Sequence, residues 1–173
     1  MHTEICDRLG IEFPIFAFSH CRDVIAAVSK AGGYGVLGVL AFDPEQLDIE
    51  LSWIDEHCGG KPYGVDLVIP AKYMGKGGGV EATPGYLQSL IPQEHRDFVE
   101  RLLAEHGVPP LPDDMDTTPK TAGLNVDAFA GDQLEVSLAH GASMVVNALG
   151  PPPPEVIAKA HEHGALVGAL VGS

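Results

Sequence analysis

Short, continuous apolar runs alternate along this chain with longer stretches of helical spacing. Residues 13–18 form an apolar run too short for a helix and closed by Ser19, the pattern of a strand buried on both faces. Residues 22–30 place Val24, Ile25 and Val28 among alanines at helical spacing, with Gly32 and Gly33 as the stop. Residues 36–40 predict a second strand. Asp43 before Pro44 and Glu45 is a helix start, because the Asp side chain can accept from the free first-turn amides and Pro needs no partner there. That helix runs to about His57 and stops at Gly59 and Gly60, and residues 63–68 predict the third strand.

After Pro70 the periodicity breaks. Residues 74–80 contain Gly75, Gly77, Gly78 and Gly79 without an apolar frame. A glycine loop that cradled phosphate would lead into a helix and carry Lys and Ser or Thr at its end, whereas Lys76 precedes most of these glycines, so a mobile loop is the expectation. Pro84 opens a short helix to Leu90, and Pro92 opens a longer one in which Phe98, Leu102 and Leu103 share a face. Residues 109–119 are rich in proline and acid and carry no core pattern, and residues 71–82 and 109–122 are expected to be the least ordered. Alternation then returns: a helix over about 127–140, a strand over 143–148, a helix after Pro151–Pro154 ending at Gly164, and a strand over 166–171. Five strands separated by helices specify a parallel sheet with right-handed crossovers. The insertion at about 69–126 is long for a strand-to-helix connection and is expected to overhang the carboxyl ends of the strands, where sites concentrate in such folds.

Composition narrows the function classes. The chain has 173 residues, 45% of them hydrophobic and 20% charged, with a formal net charge of −14. So acidic a chain has no basic stripe to neutralise phosphates, which excludes nucleic acid as main partner and disfavours anionic membranes. No apolar block is long enough to span a bilayer and no export signal is visible, so the expected location is cytoplasmic. Asp113, Asp114 and Asp116 form the one tight acidic cluster, expected to be a solvated loop because no calcium-binding frame surrounds it. Cys6, Cys21 and Cys58 lack metal spacing and are odd in number, which argues against a zinc site or a disulfide scaffold.

Five segments in order carry a family resemblance: F-P-I-F-A-F-S-H at 13–20, A-V-S-K-A-G-G-Y-G-V-L-G at 27–38, G-V-D-L-V at 64–68, V-V-N-A-L-G-P-P-P at 145–153 and L-V-G-A-L-V-G-S at 166–173. Together they resemble the N-terminal portion of the nitronate monooxygenase family, as a variant subgroup. The resemblance implies a parallel (β/α)8 TIM-barrel fold of which the first five strands are present, residues 1–173 being the N-terminal part of a single flavin-binding domain with the insertion at 69–126. Such barrels need about 250 residues. It also implies an FMN-dependent oxidoreductase acting on nitronates with oxygen. By position, Ser19 and His20 would line the flavin edge, Asp66 and Val68 would make the third-strand contact, and Leu170 with Ser173 the fifth.

The departures matter as much. Ala17, Phe18, Ser19 and His20 stand where the family has a glycine-rich turn, so the Phe18 ring must point away from the flavin or stack. Asp66 replaces the usual Asn and offers only acceptors when ionised. His20 could serve as acid or base, but the reading as a polar loop residue contacting cofactor or backbone is favoured, because the family histidine resembling a base lies after the sixth strand in a G-G-H segment that these residues lack. No catalytic residue and no metal ligand is therefore assigned. His161, His163 and His57 read as helix ends. The phosphate-binding loops of such barrels follow strands seven and eight, so the isolated 173 residues are expected to hold FMN weakly and to be inactive. A flavin-dependent enoyl-ACP reductase remains an alternative within the resemblance. Outside it stand a self-contained open sheet and a non-enzymatic α/β domain that binds a partner or forms a homo-oligomer through its sheet edges.

Overall fold

The computed structural model describes residues 2–69, 89–110, 112 and 126–172, with side chains from 130 onward in the segment that begins at 126. The chain divides into two compact units, residues 1–71 with 125–173, and residues 72–124.

In the first unit the elements run α1 (Glu4–Leu9), β1 (Phe16–Ser19), α2 (Arg22–Lys30), β2 (Tyr34–Gly38), α3 (Pro44–His57) and β3 (Tyr63–Leu67). The second unit contributes α4 (Gln93–Glu105), and the first resumes with α5 (Val126–Ala139), β4 (Met144–Asn147), α6 (Pro154–Glu162) and β5 (Leu166–Ala169). The strands form one parallel sheet in the order β1-β2-β3-β4-β5. Sequential order separates a barrel-type arrangement from a doubly wound sheet, where the first strand lies inside.

Local chemistry explains the boundaries. The Asp43 side chain accepts from the Gln46 amide at 2.8 Å, and Pro44 opens α3. Gly59 and Gly60 follow its end at positive φ. The close seat of α2 on the sheet depends on Gly35, where a Cβ would stand 2.7 Å from the Ile25 carbonyl oxygen. β1 begins at Phe16 rather than at 13, because the amides of Glu12 and Phe13 both donate to the Gly32 carbonyl and hold that stretch in a turn. β2 likewise lies two residues earlier than the apolar run 36–40 suggests. The sequence reading did not anticipate α1.

Side chains of alternate parity face opposite sides of the sheet. One side is covered by helices: Leu37, Val39, Val65, Leu67 and Val145 pack with Ile25 of α2, Leu47, Leu51 and Ile54 of α3, Leu134 and Leu138 of α5, and Ala160 of α6. Polar groups caught there are satisfied. Gln133 Nε2 donates to the Val39 and Phe42 carbonyls at 3.0 and 2.7 Å, and Asn147 both accepts from the Ile69 amide and donates to the Ile69 and Gly150 carbonyls. On the other side Cys6, Leu9 and Ile11 pack with Tyr34, Val36, Met144 and Leu166 near the starts of the strands. Toward the strand ends that side is open. Phe16 and Phe18 are exposed by 44% and 57%, which departs from the expectation that β1 is buried on both faces: among the described residues nothing covers their side chains.

In the second unit, α4 extends from Gln93 to Glu105 and is followed by Gly107 at positive φ. Phe98, Leu102 and Leu103 are exposed, so no core forms on their shared face among the described residues. The glycine segment at 74–80, the helix opened by Pro84, the acidic cluster at 113–116 and nearly all of the two segments expected to be least ordered lie outside the described residues.

Candidate functional site at the strand ends

The register brings Gly38, Asp66, Val146 and Gly168 into one rank across four neighbouring strands. Two of the four have no side chain. A concavity of about 350 Å³ lies on this open side, walled by Phe16, Phe18, Val36, Met144 and Val146, with Leu170 beyond the end of β5. Its volume falls at the lower end of the range for small-ligand sites.

Asp66 is the one ionisable side chain among the lining residues. It is 7% exposed, and its Oδ1 is buried without a hydrogen-bond partner. Burial pushes its carboxyl up to about 6, and the charge of His20 offsets part of that rise. A buried polar atom without a partner is rare and costly, and here it belongs to a residue that lines an apolar concavity.

His20 stands just beyond β1. Its Nδ1 donates to the Gly38 carbonyl at 3.0 Å. The imidazole meets the Phe18 ring edge-on at 5.1 Å. Both rings occupy the space a side chain at position 38 would fill: a Cβ there would come within 2.6 Å of each. Gly38 is thus required for His20 to lie where its charge reaches Asp66.

The other expected contacts separate. Leu170 lines the concavity. The Ser19 hydroxyl accepts from the Cys21 amide at 3.0 Å, shaping the turn that carries His20. Val68 is half-buried past the end of β3 and is not among the lining residues. Ser173 lies outside the described residues. Phe16, Val36, Met144, Val146, Gly38 and Gly168 were not singled out from sequence. Period-two spacing at 16/18 and 144/146 was the available signal, but only the sheet shows which parity faces the opening.

His57, His161 and His163 lie at helix ends: His57 ends α3, His161 is in the last turn of α6 and His163 is its C-cap. His57 stacks on Trp53 with ring centres 3.9 Å apart. No helix among the described residues is long and apolar enough to cross a membrane.

No family model matches the chain. A Mycobacterium tuberculosis protein named "Putative monooxygenase Rv1533" is 48% identical over 175 residues, covering 100% of this chain and 46% of its own length. A Staphylococcus saprophyticus protein named "Probable nitronate monooxygenase" is 31% identical over 75 residues, covering 41% of this chain and 21% of its own. The chain thus spans less than half the length of these curated relatives. Two solved structures share the fold. FabK of Thermotoga maritima has a TM-score of 0.61 at 21% identity, over 100% of this chain and 38% of its own. A nitroalkane oxidase of Streptomyces ansochromogenes has a TM-score of 0.58 at 19% identity, over 96% and 42%. The five ordered parallel strands are those of a TIM-barrel-type fold, and the chain is similar along its whole length to one protein named a monooxygenase and, over a segment, to one named a nitronate monooxygenase.

Proposed function

We propose that these residues form one side of the active site of a flavin-dependent oxidoreductase that oxidises alkyl nitronates with oxygen, in a single barrel domain with residues 69–126 inserted between β3 and β4. The observation that carries the reading is Asp66, which lines an apolar, aromatic-walled concavity on the inner face of the parallel sheet and whose Oδ1 is buried without a partner among the described residues. Those residues fit an isoalloxazine ring: the apolar wall suits its faces, glycines at 38 and 168 leave room for a flat body, and the carboxyl can meet its polar edge. FMN, when bound, supplies the redox chemistry, taking electrons from the nitronate and passing them to oxygen.

The chain's own residues position the ring and exclude water. Phe16, Phe18, Met144 and Val146 present apolar surface, and Leu170 closes the β5 side. Asp66 holds the polar edge. His20, fixed by Gly38, sets the local charge, and Ser19 holds the turn that presents it. The names of the Staphylococcus saprophyticus relative and of the Streptomyces ansochromogenes structure support the nitronate assignment.

The test is titration of the purified chain with FMN and with lumiflavin, followed by flavin fluorescence, with oxygen consumption on an alkyl nitronate measured in parallel. Saturable quenching by the wild type, weakened at least tenfold in Asp66→Ala, is the expected result. Absence of saturable quenching with either flavin would remove the basis for this site, independently of turnover. Oxidation of a reduced nicotinamide that depends on an enoyl thioester, with no oxygen uptake on the nitronate, would move the assignment to the enoyl reductase alternative.

A further inference from the structure

The rank of residues that contains Asp66 is nearly bare: Gly38 on one side, Val146 and Gly168 on the other. A ligand edge approaching this rank meets one polar side chain from the strands, and the form of that side chain decides what it can recognise. A neutral carboxyl offers an O–H donor beside a C=O acceptor, whereas a carboxylate offers acceptors only. The uracil-like edge of an isoalloxazine alternates a carbonyl acceptor, an N–H donor and a second carbonyl acceptor. The neutral acid can therefore form two parallel hydrogen bonds with that edge. The carboxylate can form one, and sets its second oxygen against a carbonyl oxygen in an apolar cavity where repulsion is poorly screened.

We propose that Asp66 is a proton-gated anchor for the flavin ring, binding its imide edge as the neutral acid and releasing it when ionised. The inference rests on the flavin reading of the site and deepens it. Three observations converge on it. Asp66 is buried, with Oδ1 lacking any partner among the described residues. The cavity wall around it is apolar. The carboxyl, raised to about 6 by burial, changes form within the range where a cell or a buffer can move it.

Among the described residues the groups that face it are few. On β2, Tyr34 is engaged with Ser143 nearer the strand starts; on β4 and β5, Met144, Val146 and Gly168 carry no charge. The charged influence comes from His20, held over Gly38, which favours the ionised form. His20 thus tunes the gate, and Asp66 is the gate.

The experiment measures the dissociation constant of lumiflavin, which lacks the phosphate, and of FMN by fluorescence quenching between pH 5 and pH 8. It uses the wild type, Asp66→Asn and His20→Gln, with a thermal melt at each pH to confirm folding. If only the neutral form binds, apparent affinity falls with its population, so wild-type binding should weaken at least tenfold from pH 5.5 to pH 7.5. Asn presents a donor and an acceptor at every pH, so Asp66→Asn should bind with an affinity that varies less than about twofold over this range. In His20→Gln the loss should move to higher pH, because the group favouring ionisation is gone. Wild-type affinity that is flat or rises with pH, or an Asp66→Asn variant that follows the wild-type slope, overturns the gate while leaving the flavin site standing. No saturable binding at any pH in any variant overturns both. Should Asp66→Asn fail to fold, the wild-type slope and the direction of the His20→Gln shift still decide the matter.

Discussion

The two faces of the sheet are built to opposite standards. On the helix-covered face the large side chains, Leu37, Leu47, Leu51, Ile54 and Val65 among them, are fully buried, and the polar groups of Gln133, Ser137 and Asn147 have protein partners. On the open face, two phenylalanines are about half exposed and a buried carboxyl oxygen has none. Dense packing and satisfied polar groups are what stability requires. Uncovered aromatic surface beside an unpartnered buried acid is costly to a folded chain, and such exceptions concentrate where something else is to be bound. Among the described residues the covered face therefore holds the fold, and the other face carries the proposed site.

The contrast breaks most visibly under truncation. Leu51→Ala on the covered face should destabilise by about 2–5 kcal/mol, from lost burial and the cavity left behind. Phe18→Ala on the open face should stay within about 1 kcal/mol, since more than half of the residue already meets solvent, while weakening flavin quenching. Urea unfolding of the two variants checks the pair. A Phe18→Ala loss comparable to that of Leu51→Ala would mean that the open face is structural.

A second effect sharpens the comparison through pH. The folded carboxyl of Asp66 lies at about 6, above its ordinary value near 3.9. The stability favouring the protonated fold is fully present below about pH 4 and is lost as pH rises through 6. Asn at this position has nothing to ionise. Asp66→Asn should therefore match the wild type near pH 4 and exceed it at pH 8, by on the order of 1–3 kcal/mol, measured as the difference in unfolding free energy across the pH series. A gap that shrinks with rising pH would contradict the burial of this carboxyl.

The smallest effect belongs to a histidine on the covered side. His140, next to the end of α5, places Nδ1 at 2.6 Å from Asp55 and Nε2 at 3.0 Å from Asp48, both on α3, and Asp55 also accepts from the Tyr63 hydroxyl. Burial alone would lower its pKa, but the hydrogen bonds and charges of Asp55 and Asp48 outweigh that and raise it. The clasp thus contributes stability that is full below the unfolded value of about 6.5 and is lost as pH rises through the higher folded value. His140→Gln should lower the melting temperature below pH 6 by an amount equivalent to no more than about 1 kcal/mol, and the difference should narrow by pH 9. A difference constant across pH would show that His140 acts by packing alone.

Much of the site's frame could be read ahead of the fold, and most of its chemistry could not. Asp66 and His20 drew attention as departures from a family pattern at strand ends, and Leu170 by its place on the expected fifth strand. What makes Asp66 consequential is that Gly38, Val146 and Gly168 are its neighbours in rank, and those lie from 28 to 102 residues away in sequence. Ser19, read as a flavin contact, accepts from the Cys21 amide of its own turn, a short-range bond that a strand-end position does not reveal. α1 went unread because a six-residue helix with mostly polar side chains leaves little periodicity to detect.

By itself, the sequence determined what is local: the alternation of apolar runs with helical spacing, the Asp43 cap, the stop after α2 at Gly32 and Gly33, and hence five strands joined for parallel pairing. These follow from backbone sterics and hydrogen bonding within a few residues. Tertiary structure decided which parity of each strand was covered and which left open, because that depends on where whole helices pack. It also decided that the helices bury one face with the polar groups of Gln133, Ser137 and Asn147 answered, while Asp66 Oδ1 on the other face is buried with no partner among the described residues. That deprivation is a property of surroundings drawn from four strands, and no window of the chain contains it.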